Sequence, residues 1–308
     1  MTVEPDYLMY KHRRRGMDHD LYPYSNIFGR VPVTWPDGRT VAVAIVVSLE
    51  WFPITPTDTP FRAPGHMQTP YPDYRHYTSR DYGTRVGLYR LLDAFAEVGV
   101  KVSVATNAAI AERHPSVIRD IVAAGHEVVA HSTDMNGAIA TGLSEPDERK
   151  LITSALDTLQ YVAGVRPTGW LSVARSQSWN TPRLLAEAGV ELMLDWVNDE
   201  LPYMMTTPSG KIANLPLNHE LSDRQIIIVQ QHSAEDYVEQ IEDAYQWVEH
   251  EAERTGGGRL LPLHLTPYVI GLPYRIGAFE GLIRRMATRK SAWFATVTEI
   301  AHRAVIPL

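Results

Sequence analysis

Three times along this chain a helix-like stretch stops at a glycine and an extended stretch follows at once: Val98-Gly99-Val100-Lys101, Ala124-Gly125-His126-Glu127 and Ala188-Gly189-Val190-Glu191. A glycine can close a helix in left-handed backbone, and a strand beginning immediately after it leaves room only for a short join. Chains assembled from such joins are βα units around a parallel sheet. The flanking patterns agree. Leu88, Leu91, Leu92 and Phe95 lie on one face of a predicted helix over 81–98, before a strand from Val100 to Ala105. Pro115 opens a helix carrying Ile118, Ile121 and Val122, and Glu127 to Ala130 is the next strand. Ser144 starts a long helix ahead of a strand from Thr168 to Ser172, and Pro182 opens a helix ahead of Leu192 to Asp195. Arg224 to Val229 reads as a strand, and Ser233 with Asp236 caps a helix that ends at Gly256-Gly257-Gly258. Arg259 to Leu263, a final helix and a strand from Ala292 to Thr296 complete an α/β chain of the (β/α) barrel kind. No linker interrupts the 308 residues, so one domain over 1–308 is expected.

The first strand sets where chemistry belongs. Val41 to Trp51 is a run of small and β-branched residues, apolar on both faces, that stops at Glu50. An unpaired carboxylate is too costly to desolvate inside such a strand. Glu50 is therefore expected at its C-terminal mouth, where barrel folds place their sites. The other strands end in Thr106 and Asn107, His131 and Asp134, Arg175, Asp195 and His264. Each is a weak signal alone; converging on one barrel face they become a candidate active site.

Composition narrows the class. The net charge of -7 argues against nucleic acid as a partner, and the absence of cysteine excludes disulfides, thiolate metal sites and thiol nucleophiles. No apolar stretch approaches the ~20 residues of a membrane helix, and the N-terminus lacks an apolar signal core, so a cytoplasmic protein without membrane partners is expected. Residues 1–40 read as an N-terminal arm with a basic run, Lys11 to Arg15, packed on the domain or on a sister subunit. The proline-rich stretch 52–80 reads as a long loop over the site, a lid or an oligomer contact.

Several stretches carry a resemblance: Ser48-Leu49-Glu50-Trp51, Tyr82-Gly83-Thr84-Arg85, Gly125 to His131, Arg166-Pro167-Thr168-Gly169-Trp170, Leu201-Pro202-Tyr203, and His264 with Ile270 to Arg275. In their order and spacing the chain resembles the polysaccharide deacetylase superfamily, and within it the allantoinase-like branch. The resemblance implies an irregular (β/α)7-type barrel, hydrolysis of C–N bonds other than peptide bonds, and a homo-oligomer. In the metal-dependent members the first strand ends in two aspartates, one a base and the other a metal ligand; here Glu50 and Trp51 stand there. The His-x-x-x-His metal motif begins at His131 but has Met135 at its second position. The arginine that contacts the base falls near Leu171, with Arg175 able to reach the same space.

With those ligands replaced, no metal and no other cofactor is expected. The expected catalytic residues are Glu50 as a general base with raised proton affinity beside Trp51 and Met135, His131 orienting water or substrate, and His264 protonating the leaving nitrogen or donating to the oxyanion. Arg85 or Arg175 is expected to bind a carbonyl or carboxylate, Asp199 and Tyr203 to line the far wall, and Trp51, Met135 and Trp170, with Trp179 and Met204, to give an apolar lining suited to a small molecule. Two other readings stay open: a metal-dependent N-deacetylase of a carbohydrate that improvises a site from Glu50, His131, Asp134 and His264, and a small-molecule binding protein without catalysis.

Overall fold

The computed structural model describes residues 19–54, 74–140 and 142–305. The basic run Lys11 to Arg15 and residues 55–73 of the expected loop lie outside the described residues; residues 74–80, expected as loop, begin the helix Tyr74–Tyr82.

The strands are β1 (Val41–Leu49), β2 (Ser103–Thr106), β3 (Glu127–Ala130), β4 (Gly169–Trp170), β5 (Leu192–Met193), β6 (Tyr203–Thr207), β7 (Gly210–Asn214), β8 (Arg259–Leu265) and β9 (Ala292–Phe294). They form one curled sheet in the order β6-β7-β5-β4-β3-β2-β1-β8, with β9 also on β1. All pairings are parallel except the β6–β7 hairpin. One edge of β1 takes β8 along its length; the other takes β9 at Val41 to Val43 and β2 at Val46 to Leu49. The glycine joins hold: Gly99, Gly125 and Gly189 take left-handed φ values of 69, 78 and 82°, which a side chain resists.

Alternation along β1 sorts its residues between two cores. Val41, Val43, Ile45, Val47 and Leu49 pack outward beneath the helices, while Ala42, Ala44 and Val46 pack inward with Ala105, Val129, Leu171, Leu194 and Leu260. All nine residues of β1 are buried, the double-sided burial that its sequence announced.

Two expectations are corrected. Arg224–Val229 is not a strand but a π-helical turn, docked on the end of β8 where the Asp223 carboxylate accepts from the Thr266 N–H at 2.7 Å. Ile226 and Ile227 are buried either way, so the apolar run satisfied both readings. Because no strand forms there, β8 and β6 remain the two ends of the sheet. The antiparallel hairpin was not expected at all; its turn at Thr207 to Gly210 has Gly210 at a φ of 134°.

Candidate active site

The same alternation that sorts the core selects the site. Continuing the inward set of β1 beyond Val46 reaches Ser48 and then Glu50. Continuing that of β3 beyond Val129 reaches His131, and that of β8 beyond Leu260 reaches His264, whose register partner on β1 is Val46. Ser48, Glu50, His131 and His264 thus line one cavity of about 300 Å³ at the C-terminal mouth of the sheet. Asn107, next in the inward set of β2 after Ala105, ties two strand ends together. Its Oδ1 accepts from the Trp51 N–H at 2.7 Å and its Nδ2 donates to the His131 carbonyl.

Glu50 is buried and ion-paired. Arg224 Nη2 donates to both carboxylate oxygens at 2.7 and 2.6 Å and also to the Tyr268 hydroxyl at 2.7 Å, while that hydroxyl donates to Oε2 at 3.0 Å. Tyr268 is held close by a glycine contact. A Cβ on Gly87 would come within 2.1 Å of the Pro267 carbonyl oxygen, so the π-helical turn Gly83–Gly87 can approach the segment Pro267–Ile270 only without one. Burial pushes the Glu50 pKa up, but Arg224 opposite and His131 beside it outweigh burial and bring it below the ordinary value. The expected raised proton affinity is therefore corrected: the carboxyl is kept ionised.

His131 Nδ1 lies 2.7 Å from the Leu171 carbonyl. A carbonyl only accepts, so Nδ1 carries the proton and Nε2 keeps its lone pair. Burial holds the ring neutral by lowering its pKa. His264 Nε2 lies 2.6 Å from Ser48 Oγ, and its Nδ1 is 3.4 Å from Arg175 Nη2. Burial and the neighbouring arginines hold His264 well below its ordinary pKa. A neutral imidazole in that setting is a poor acid, which removes the expected role of protonating the leaving nitrogen.

Arg175 sits on a loop where Ala174 and Arg175 both take left-handed φ values of 56 and 53°. Asp195 holds that loop from behind. It accepts from the Ser172 N–H at 2.7 Å, the Ser172 hydroxyl at 2.9 Å and Gln177 at 2.6 Å, and burial raises its pKa to about 6.

The structure brings only some of the expected residues together. Met135 and Arg175 line the cavity with Glu50, His131 and His264. Trp51 and Trp170 follow the outward parity of their strands. Trp51 lies against Tyr77, His114 and the Arg113 guanidinium, and the Trp170 ring is fully buried in the outer core with its N–H on Ser172 Oγ. Arg85 is exposed and paired with Asp81 at 2.5 Å, and Trp179 is exposed. Asp199 and Tyr203 line a second cavity of about 830 Å³, where Asp199 pairs with Arg30 and the Tyr203 ring meets Tyr22. Met204 lines that second cavity too. The arginine on the base is Arg224, not Arg175, whose Nη2 reaches the Leu217 carbonyl. Ser48, His219, Ser222 and Arg224 line the first cavity and were not singled out from sequence; nothing local to Arg224 signals a partner 174 residues away.

The residues present do not fit a zinc-type ion. Among the described residues no three His, Cys, Asp or Glu side chains converge as a metal site requires. Glu50 is taken by a guanidinium, and Trp51 and Met135, at the positions where the resemblance implies metal ligands, offer no oxygen or nitrogen donor suited to such an ion. Asp134 is spent on the Asn136 N–H at 2.8 Å rather than joining an improvised site. Among the described residues no helix is long and apolar enough to cross a membrane.

Comparison with known proteins gives likenesses to proteins described as polysaccharide deacetylases and to an allantoinase. The sequence profile of the family described as polysaccharide deacetylase matches residues 72–193. A Schizosaccharomyces pombe (strain 972) protein described as a polysaccharide deacetylase is 22% identical over 296 residues, spanning 87% of this chain and 91% of that one. Of solved structures, a Mycobacterium smegmatis protein described as a polysaccharide deacetylase is 27% identical with a TM-score of 0.76, covering 92% of this chain and 94% of its own. PuuE allantoinase is 26% identical with a TM-score of 0.81, covering 92% and 97%.

Proposed function

We propose that this chain, whose residues 72–193 match the polysaccharide deacetylase family and whose fold is that of solved polysaccharide deacetylase-like proteins, hydrolyses an amide-like C–N bond of a small molecule, a cyclic imide or ureide, without a catalytic metal ion. One observation carries the reading: Glu50, kept ionised by Arg224, and the unprotonated Nε2 of His131 line one cavity with Met135, which stands where the resemblance places a metal ligand, while Trp51 at the other such position turns outward. A volume of about 300 Å³ is at the small end for a ligand site and suits a ring better than a polymer. The likeness to PuuE allantoinase supports the same class.

Glu50 Oε1 accepts one hydrogen bond, from Arg224, and keeps acceptor capacity for a water. Glu50 takes the water's proton as its oxygen adds to the acyl carbon, with His131 Nε2 holding the second O–H. The tetrahedral adduct collapses, the C–N bond breaks, and the proton on Glu50 passes to the leaving nitrogen. Such a base contributes ~10²–10⁴-fold. Lowering its pKa weakens it, so the reading favours a carbonyl that is activated and a nitrogen that leaves readily, as in an imide or ureide ring.

The test is a panel of cyclic imides, ureides, N-acetyl sugars and aryl amides, run with wild type and Glu50→Gln, before and after chelation. Turnover of an imide or ureide that survives chelation and is lost in Glu50→Gln is expected. Stoichiometric zinc with chelator-sensitive turnover overturns the metal-free reading in favour of an N-deacetylase. A carboxylate held this firmly by Arg224 and Tyr268 also suits a binding protein; saturable binding of a panel member with no hydrolysis selects that reading.

A further inference from the structure

We propose that Ser48 is a catalytic residue, donating its hydroxyl proton to the oxyanion that develops in the cavity, and that Arg175 positions it through His264. The proposal rests on the hydrolase reading above and names a group that reading does not use.

Ser48 faces the cavity from the mouth end of β1, two residues before Glu50, so donor and base stand on the same face of one strand. Its Oγ lies 2.6 Å from His264 Nε2, and the other ring nitrogen, Nδ1, lies 3.4 Å from Arg175 Nη2. A guanidinium has donors and no acceptor. Nδ1 therefore presents its lone pair to Arg175, the neutral ring carries its proton on Nε2, and that N–H donates to Ser48 Oγ. The hydroxyl's own proton is then turned away from the histidine, toward the cavity. Each link polarises the next, from the cation to the ring to the hydroxyl.

The same geometry rejects Ser48 as a nucleophile. A histidine that takes a serine proton needs an anion at its far nitrogen to orient and stabilise the imidazolium. Here a cation occupies that place, and an imidazolium would point its Nδ1–H into the guanidinium. Arg175 is anchored independently of the pair, by the Leu217 carbonyl at 2.9 Å.

Ser48→Ala is expected to lower kcat ~10²–10³-fold with KM changed only a few-fold, the loss seen on removing one oxyanion donor. A long-range ¹⁵N–¹H spectrum of wild type, assigned with His264→Gln, is expected to show His264 protonated at Nε2. Arg175→Met is expected to mix the two tautomers and lower kcat, whereas Arg175→Lys keeps the cation and the Nε2–H form. Protonation of wild-type His264 at Nδ1 overturns the relay whatever the variants do, and needs no variant to fold. Turnover lost in Glu50→Gln but intact in Ser48→Ala overturns it while leaving the hydrolase reading standing. Absence of wild-type turnover on the whole panel sinks the hydrolase reading, and with it the oxyanion role of Ser48.

Discussion

The cavity has two walls of different origin. One is made by strand residues: Ser48 and Glu50 of the β1 row, His131 after β3 and His264 within β8. The other is made by connecting segments that carry Arg175, His219, Ser222 and Arg224. The strand wall holds the carboxylate, the hydroxyl and two imidazoles; the connecting wall holds the arginines, one neutralised by Glu50 and the other turned on His264. A parallel sheet fixes its rows to a fraction of a residue, because a slip by one reverses every side chain. Connections have no such constraint and are where a scaffold's sites are retuned. The difference suggests that the strand wall supplies the reacting groups, while the connecting wall sets their charge and orientation.

The comparison breaks first at Glu50. Glu50→Gln is expected to cost ~10²–10⁴-fold in kcat/KM with the fold intact; a loss under threefold would move the base to the other wall. Next comes Arg224→Met, which leaves a buried carboxylate unpaired and is expected to cost about 3–5 kcal/mol in denaturant unfolding at neutral pH. The sign follows from Glu50. With Arg224 present its folded pKa lies below the ordinary value, so the pair's contribution is complete above the unfolded value of ~4.3 and is lost as pH falls through the folded one. Without Arg224 burial is opposed only by His131 and the Tyr268 hydroxyl, and the pKa is expected to rise. The variant then loses stability as pH rises through that value, and the acid limb of its kcat/KM profile moves to higher pH. Adding Glu50→Leu to Arg224→Met is expected to recover most of the stability and none of the activity.

What the sequence disclosed divides along the same line. Strand ends were legible because a doubly buried run such as Val41 to Leu49 can place a carboxylate only at its mouth. Parity was not, since it needs the register. Trp51 and Trp170 were assigned to the pocket, but one step along their strands turns them outward, whereas Met135 does line it. Arg224 was read as opening a strand because Ile226, Ile227, Ile228 and Val229 form a short apolar run that periodicity cannot assign. The hairpin did leave a signal, Pro208-Ser209-Gly210 between two β-prone runs, and would have placed Tyr203 on an antiparallel edge away from the site.

Asn107 spans the strand wall itself and sharpens the comparison at smaller scale. Asn107→Ala leaves the Trp51 N–H and the buried His131 carbonyl each short of a partner, and is expected to cost about 1–3 kcal/mol in thermal or denaturant unfolding. Its kcat should fall with it, because the ends of β1 and β3 carry Glu50 and His131; unchanged kcat would mean that the strand wall does not depend on this tie.

The smallest effect is expected at the larger of the two cavities. The space beside Asp199 and Tyr203 is about 830 Å³ against about 300 Å³ around Glu50, so size alone would choose it as the site. Its ionic pair, Arg30 with Asp199, has side chains 22% and 14% exposed, and a partly solvated pair contributes at most ~1 kcal/mol. The Tyr203 hydroxyl donates to Asn198 at 2.7 Å. Among the described residues no histidine lines that space, and Asp199, held below its usual pKa by its hydrogen bond to Arg30 against the opposing effect of burial, is no better placed as a base than Glu50. Asp199→Asn and Tyr203→Phe are therefore expected to leave kcat/KM within twofold and to shift unfolding by no more than ~1 kcal/mol. A tenfold fall in kcat/KM for either, with the fold intact, would show that substrate reaches the larger cavity and that the chemistry is not confined to the strand wall.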